Sequence, residues 1–133
     1  MQVFVNIATL QGIIITKEVY MAIIPAFDGE VGIMAAHIPF IFKLNNGLVK
    51  LYDTETHAKE KIFIFGGFAQ VYQDKIDIVT DKIMKLEDLD IKYAQERIIA
   101  FENKLLSSEK DTDINFIQKE LRLYRKILEV TQY

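Results

Sequence analysis

The sequence contains no cysteine and no tryptophan, and its 133 residues include two prolines and six glycines. Without cysteine there is no disulfide framework, no thiolate nucleophile and no cysteine-held metal. Long apolar runs are missing too, and none approaches the ~18–20 residues of a membrane-spanning helix. The opening residues, Met-Gln-Val-Phe-Val-Asn, carry no basic leader and read as a strand. Arginine is scarce and uneven, since Arg97, Arg122 and Arg125 all lie in the last third. With a net charge of −3, the chain lacks the concentrated basic surface that nucleic-acid phosphates require.

What is present is apolar: half the residues are hydrophobic, enough for a sizeable core in a chain of this length. The chemical inventory is thin. Both serines, Ser107 and Ser108, are adjacent and far in sequence from any histidine. His37 and His57 stand apart, without the paired spacing of a metal site. No glycine-rich loop ends in Lys-Ser or Lys-Thr, so the chain is not itself a P-loop hydrolase. Gly66-Gly67 lacks the third glycine of a dinucleotide fingerprint and points to a bulge or close packing. The expectation is a non-catalytic protein with no cofactor and no metal.

Residues 3–80 alternate as half-buried strands do. Val3, Val5 and Ile7 share one face, as do Val19, Met21 and Ile23 in this reading. Ile76 and Ile78 alternate with Lys75 and Asp77, while Ile62 to Phe65 is apolar on both sides. Turn signals recur at Gln11-Gly12, Asp28-Gly29, Asn45-Asn46-Gly47, Asp53 to His57 and Gln73-Asp74. Short strands without intervening helices favour an antiparallel sandwich.

After Leu86 the period changes. Ile91, Ala94, Ile98, Phe101 and Leu105 follow a 3-4 spacing, and Ile114, Ile117, Leu121, Tyr124 and Leu128 repeat it. Asp88 or Asp90 suits the first N-cap, and Asp111 or Asp113 the second, with Ser107 to Thr112 as the connection. Phe116, Leu123, Ile127 and Val130 lie off the seam and widen the apolar surface of the second helix. The expected fold is α+β. An N-terminal antiparallel β-sandwich of about 8–10 short strands spans 1–86, and a C-terminal antiparallel two-helix hairpin spans 87–133.

One stretch is more specific. Residues 25–39 read Pro-Ala-Phe-Asp-Gly-Glu-Val-Gly-Ile-Met-Ala-Ala-His-Ile-Pro, which the two prolines exclude from helix and which reads as a shaped loop between strands. The pattern from Pro25 through Gly29-Glu30, Gly32-Ile33 and His37 to Pro39 resembles the epsilon subunit of F-type ATP synthase. Gly66-Gly67-Phe68, with Val71 and Asp74-Lys75-Ile76, resembles that family's second marker. The resemblance covers nearly the whole chain. It departs at Leu10-Gln11, where the family often has Pro-Glu, and at Ala36, where glycine commonly precedes the motif histidine.

The resemblance implies a central-stalk role: binding the gamma subunit, meeting the polar loops of the membrane c-ring, and reaching the alpha/beta catalytic hexamer through the C-terminal helices. It implies rotor contacts at Gly29, Glu30, Gly32, His37, Gly66, Gly67 and Phe68, and inhibitory contacts with beta at Arg122, Arg125 and Lys126. Some members bind ATP through a motif that Leu89, Asp90 and Ala94 echo, but Tyr93 stands where its arginine would face phosphate, so no ATP site is expected. The implied location is peripheral, on the cytoplasmic face of a bacterial inner membrane. Composition and periodicity also fit a different class, a free-standing sandwich module that binds peptide or carbohydrate.

Overall fold

A computed structural model of the chain describes residues 1–12, 14–107 and 113–131. The chain divides into two compact units, Met1–Leu86 and Glu87–Tyr133.

The first unit holds ten strands: β1 (Val3–Thr9), β2 (Ile14–Val19), β3 (Met21–Ala26), β4 (Gly29–Met34), β5 (Phe40–Leu44), β6 (Gly47–Tyr52), β7 (Ala58–Ile64), β8 (Gly67–Tyr72), β9 (Lys75–Thr80) and β10 (Ile83–Lys85). They form a hydrogen-bonded path β10-β7-β6-β3-β5-β8-β9-β1-β2, with β4 attached to β3. The link between β3 and β5 is the single pair Ala26–Leu44. The path folds over there into two layers, whose inner residues merge in one core. Val3, Val5, Ile7, Val71, Ile76 and Ile78 of one layer meet Ala22, Ile24, Ile33, Leu51, Ile62 and Ile64 of the other. Alternate residues enter this core because successive side chains on a strand point to opposite faces. The expected sandwich is therefore present.

All five turn signals fall at strand junctions, with Gly29 and Gly47 as the first residues of β4 and β6. Local readings differ in three places. Met21 and Ile23 do not continue the buried face of Val19, because the chain breaks at Tyr20, whose N–H bonds Tyr52 O at 2.9 Å. Past that break the burial phase resets, and Ala22 and Ile24 are the buried pair. The 25–39 segment is mostly ladder rather than loop. Ala26 pairs with Gly29 across a tight hairpin, β4 follows, and residues 35–39 alone are irregular. Pro25 fits within β3 because it lies where the neighbouring strand changes from β6, last paired at Ile23–Lys50, to β5. A missing N–H breaks no ladder bond there, while the Pro25 carbonyl accepts from Asn45 N at 2.8 Å. Finally, β1 runs parallel to β9, the exception in an otherwise antiparallel set of pairings.

The second unit opens with a 3-10 turn and contains α1 (Ile91–Leu106) and α2 (Ile114–Thr131). Asp90 caps α1 by accepting from Tyr93 N at 2.9 Å, and Asp113 caps α2 by accepting from Phe116 N at 3.1 Å. The alternative second cap, Asp111, and most of the connection, including Ser108, lie outside the described residues. The middle of both seams is buried: Phe101, Ile117 and Leu121 form a core with Ile98 and Tyr124 against it. The seam ends Ile91, Leu105 and Ile114 are exposed. Among the off-seam residues of α2, Ile127 and Val130 are buried while Phe116 is exposed.

Candidate protein-interaction surfaces

The outward face of the β5-β8-β9-β1-β2 layer is built by the same alternation that fills the core. Cross-strand pairing aligns Lys43, Phe68, Val79, Ala8 and Ile14 in one row. The next rows are Ile41, Gln70, Asp77, Asn6 and Thr16, then Tyr72, Lys75, Phe4 and Glu18. A solvated sheet face is usually polar, yet Phe4, Ile14, Ile41, Phe68 and Val79 are all exposed here. A polar clasp crosses this surface. Asn6 Nδ2 donates to Asp77 Oδ1 at 2.9 Å, and the Tyr72 hydroxyl donates to Asp77 Oδ2 at 2.6 Å. The hydrogen bond to Asp77 and its negative charge raise the Tyr72 pKa above the ordinary tyrosine value.

The strand ladder sorts the candidate rotor residues to two ends. Gly29 begins β4 beside Ala26, and Ala26 leads through Leu44 to Gly67. Gly66 lies next to Leu44 O and Asn46, and Asn45 Nδ2 donates to Phe27 O at 3.2 Å. Gly29, Glu30, Gly66, Gly67 and Phe68 are therefore gathered near one end. His37 lies beyond the other end of β4, roughly 20 Å of strand away at ~3.3 Å per residue. It lines a narrow crevice with Val3, Ile33, Val71, Asp74 and Ile76.

The glycines play different parts. Gly67 has φ +119, and a Cβ there would collide with the Val79 backbone, which is close packing rather than a nucleotide cradle. Gly29 has φ +134 with open space around it, so the turn geometry selects it. Gly32 has ordinary φ and room for a Cβ beside Met21.

Next to Gly29 is a groove of about 440 Å³, lined by Phe27, Glu30, Val31, Phe40 and Lys43 among others. Lys43 Nζ lies 4.8 Å from the Phe27 ring centroid, and Glu30 pairs with Lys50 at 3.1 Å. At the opposite end His37 Nδ1 donates to Ile38 O at 2.7 Å, which leaves Nε2 for a partner.

In the hairpin, the candidate beta-contact residues Arg122 and Arg125 are exposed and Lys126 is half-buried. Arg125 bridges the helices, Nη2 to Glu102 Oε1 at 3.0 Å, and Lys126 pairs with Glu129 at 3.4 Å. Asp90 is occupied as a cap, and Tyr93 packs edge-on against Tyr124 at 5.9 Å, so an aromatic pair stands at the ATP-like motif. Burial, then the contact with Tyr93, raises the Tyr124 pKa. Arg97 lies over Phe101 at 4.5 Å. Among the described residues no group of three or more His, Asp or Glu side chains could hold a metal.

The sequence reading singled out the glycines and His37 but not the exposed apolar residues Phe4, Ile14, Ile41 and Val79. The available signal was the second phase of the alternation, which carries apolar residues where a solvated face would carry polar ones.

Residues 2–86 match the family described as the ATP synthase delta/epsilon chain, beta-sandwich domain. An ATP synthase epsilon chain of Alkalilimnicola ehrlichii is 30% identical over 117 residues, covering 88% of this chain and 83% of the relative. A sodium-ion-specific ATP synthase epsilon chain of Propionigenium modestum is 27% identical over 109 residues, covering 82% and 78%. Among solved structures, a chain in the Euglena gracilis mitochondrial ATP synthase assembly containing OSCP, F1 and c-ring superposes with a TM-score of 0.82 at 23% identity, covering 99% of this chain and 82% of its own. Family match, relatives and fold agree: the chain belongs to the delta/epsilon family of ATP synthase chains, on the epsilon side of it.

Proposed function

We propose that the protein is a non-catalytic central-stalk subunit that binds the gamma subunit through the outward face of the β5-β8-β9-β1-β2 layer. The observation that carries this reading is the cluster of exposed Phe4, Ile14, Ile41, Phe68 and Val79 on one sheet face. An apolar patch on paired strands suits a permanent partner, because a close-packed sandwich resists shear while the patch excludes water.

The groove end with Phe27 and Glu30 is assigned to the polar loops of the membrane ring. His37, at the far end of β4, is assigned to gamma, since one flat contact does not reach both. None of the described helices is long and apolar enough to cross a membrane.

The hairpin is assigned the inhibitory role, with Arg122, Arg125 and Lys126 meeting acidic groups of beta. In the closed hairpin Arg125 is held by Glu102. That pair is exposed and contributes roughly 0–1 kcal/mol, so breaking the bridge itself frees a cation at small cost.

Co-expression with a cognate gamma subunit tests the stalk role. The wild-type chain co-purifies with gamma, and Phe68→Asp abolishes this while leaving the circular dichroism spectrum intact. A folded wild-type chain that ignores gamma removes the assignment. Deleting residues 87–133 raises ATP hydrolysis by the reassembled complex, and an unchanged rate removes the inhibitory role alone.

A further inference from the structure

Ala36, Gln73 and Asp74 are the non-glycine residues with positive φ among the described residues, at +64°, +46° and +61°. Gln73 and Asp74 owe theirs to the two-residue turn joining Tyr72 of β8 to Lys75 of β9, whose primed geometry needs positive φ at both positions. Ala36 is the second residue of the Ala35-Ala36 turn that follows β4, a position that favours glycine because a Cβ makes the left-handed conformation unfavourable. A residue remote in sequence adds to that turn: Ala36 N donates to Asp74 Oδ1 at 2.6 Å. Asp74 is anchored in turn, because its backbone carbonyl accepts from Phe4 N at 3.0 Å. Asp74 and His37 also line the same narrow crevice, with Val3, Ile33 and Val71.

We propose that Asp74 is a positioning residue: its carboxylate latches Ala36 in the left-handed conformation and thereby fixes His37 for the gamma contact, the role a glycine at position 36 would fill by conformational freedom alone. A charged acceptor on a backbone N–H is among the stronger hydrogen bonds, and it acts on the peptide unit that sets the direction of His37. The functional half of this inference rests on the stalk reading above, while the latch itself does not.

Four full-length chains decide it: wild type, Asp74→Gly, Ala36→Gly and the double variant. Asp74→Gly removes the acceptor while leaving the 73–74 turn able to keep positive φ. It should speed amide hydrogen exchange at Ala36 and His37 by about tenfold. It should also weaken binding to a cognate gamma subunit by about tenfold, with little change in thermal midpoint. Ala36→Gly alone should bind as wild type does. The double variant should recover most of the lost affinity, because a chain without a Cβ at position 36 no longer needs the latch. Unchanged exchange at Ala36 in Asp74→Gly overturns the latch. Weak binding by the double variant equal to that of Asp74→Gly overturns the positioning role. A wild-type chain without affinity for gamma overturns the stalk reading and the positioning role together, and exchange still decides the latch.

Discussion

Gly67 of β8 and Val79 of β9 approach so closely that a side chain at Gly67 would overlap the Val79 carbonyl group. Gly67→Ala combines this overlap with an unfavourable φ of +119°, and should cost about 3 kcal/mol or more. Gly12→Ala, at φ +86° with nothing within 4 Å, carries the backbone term alone and should cost about 1–2 kcal/mol. Urea unfolding of the two variants gives the comparison, and equal losses would contradict the packing argument.

Two phenylalanines on adjacent layers should behave oppositely. Phe63 is fully buried, so Phe63→Ala should lose about 3–5 kcal/mol. Phe68 is 58% exposed, and Phe68→Ala should lose less than about 1 kcal/mol. If the apolar face binds gamma, the second variant loses partner affinity without losing stability, and the first loses stability foremost.

Tyr72 should ionise late. Its pKa is raised first by the hydrogen bond it gives Asp77 and then by that carboxylate's charge. A raised folded value means that the stabilisation is fully present below the ordinary tyrosine pKa of about 10. It disappears as pH climbs through the higher folded value. Ultraviolet titration should show Asp77→Asn bringing one tyrosine back toward the ordinary range. Tyr124, raised chiefly by burial, should remain late in that variant.

Arg125 separates stability from regulation. Both partners of its bridge to Glu102 are about half exposed, so Arg125→Ala should change unfolding free energy by less than about 1 kcal/mol. If Arg125 contacts beta in the inhibited complex, the same variant raises ATP hydrolysis. A loss of stability accompanied by an unchanged hydrolysis rate would make the residue structural.

The alternation of Val3, Val5 and Ile7 and of Ile76 and Ile78 was readable because one face of each strand enters the core. The caps were readable as pairs of alternatives, Asp88 or Asp90 and Asp111 or Asp113, because an acceptor must satisfy the first free N–H groups of a helix. Three kinds of information were not local. The break at Tyr20 resets which face is buried, and it is fixed by Tyr52, a residue more than thirty positions away. Strand β4 looked like a loop because its glycines are poor strand formers, yet the Ala26–Gly29 hairpin supplies the ladder. The separation of Glu30 from His37 follows from β4 being a strand, and a loop reading hides it. Ala36 was visible as a departure from the family pattern, but its partner Asp74 lies 38 residues away and no spacing rule connects them.

The parallel pairing of β1 with β9 carries a consequence for biosynthesis. Val5 lies beside Ile76, so β1, made before the other strands of its layer, waits for the last of them. Until then its backbone ladder has the hairpin mate β2 alone, and an isolated hairpin is marginal in water. Completion of this layer is thus a late, long-range closure, and the nascent chain is most exposed to aggregation and to chaperones before Thr80 emerges.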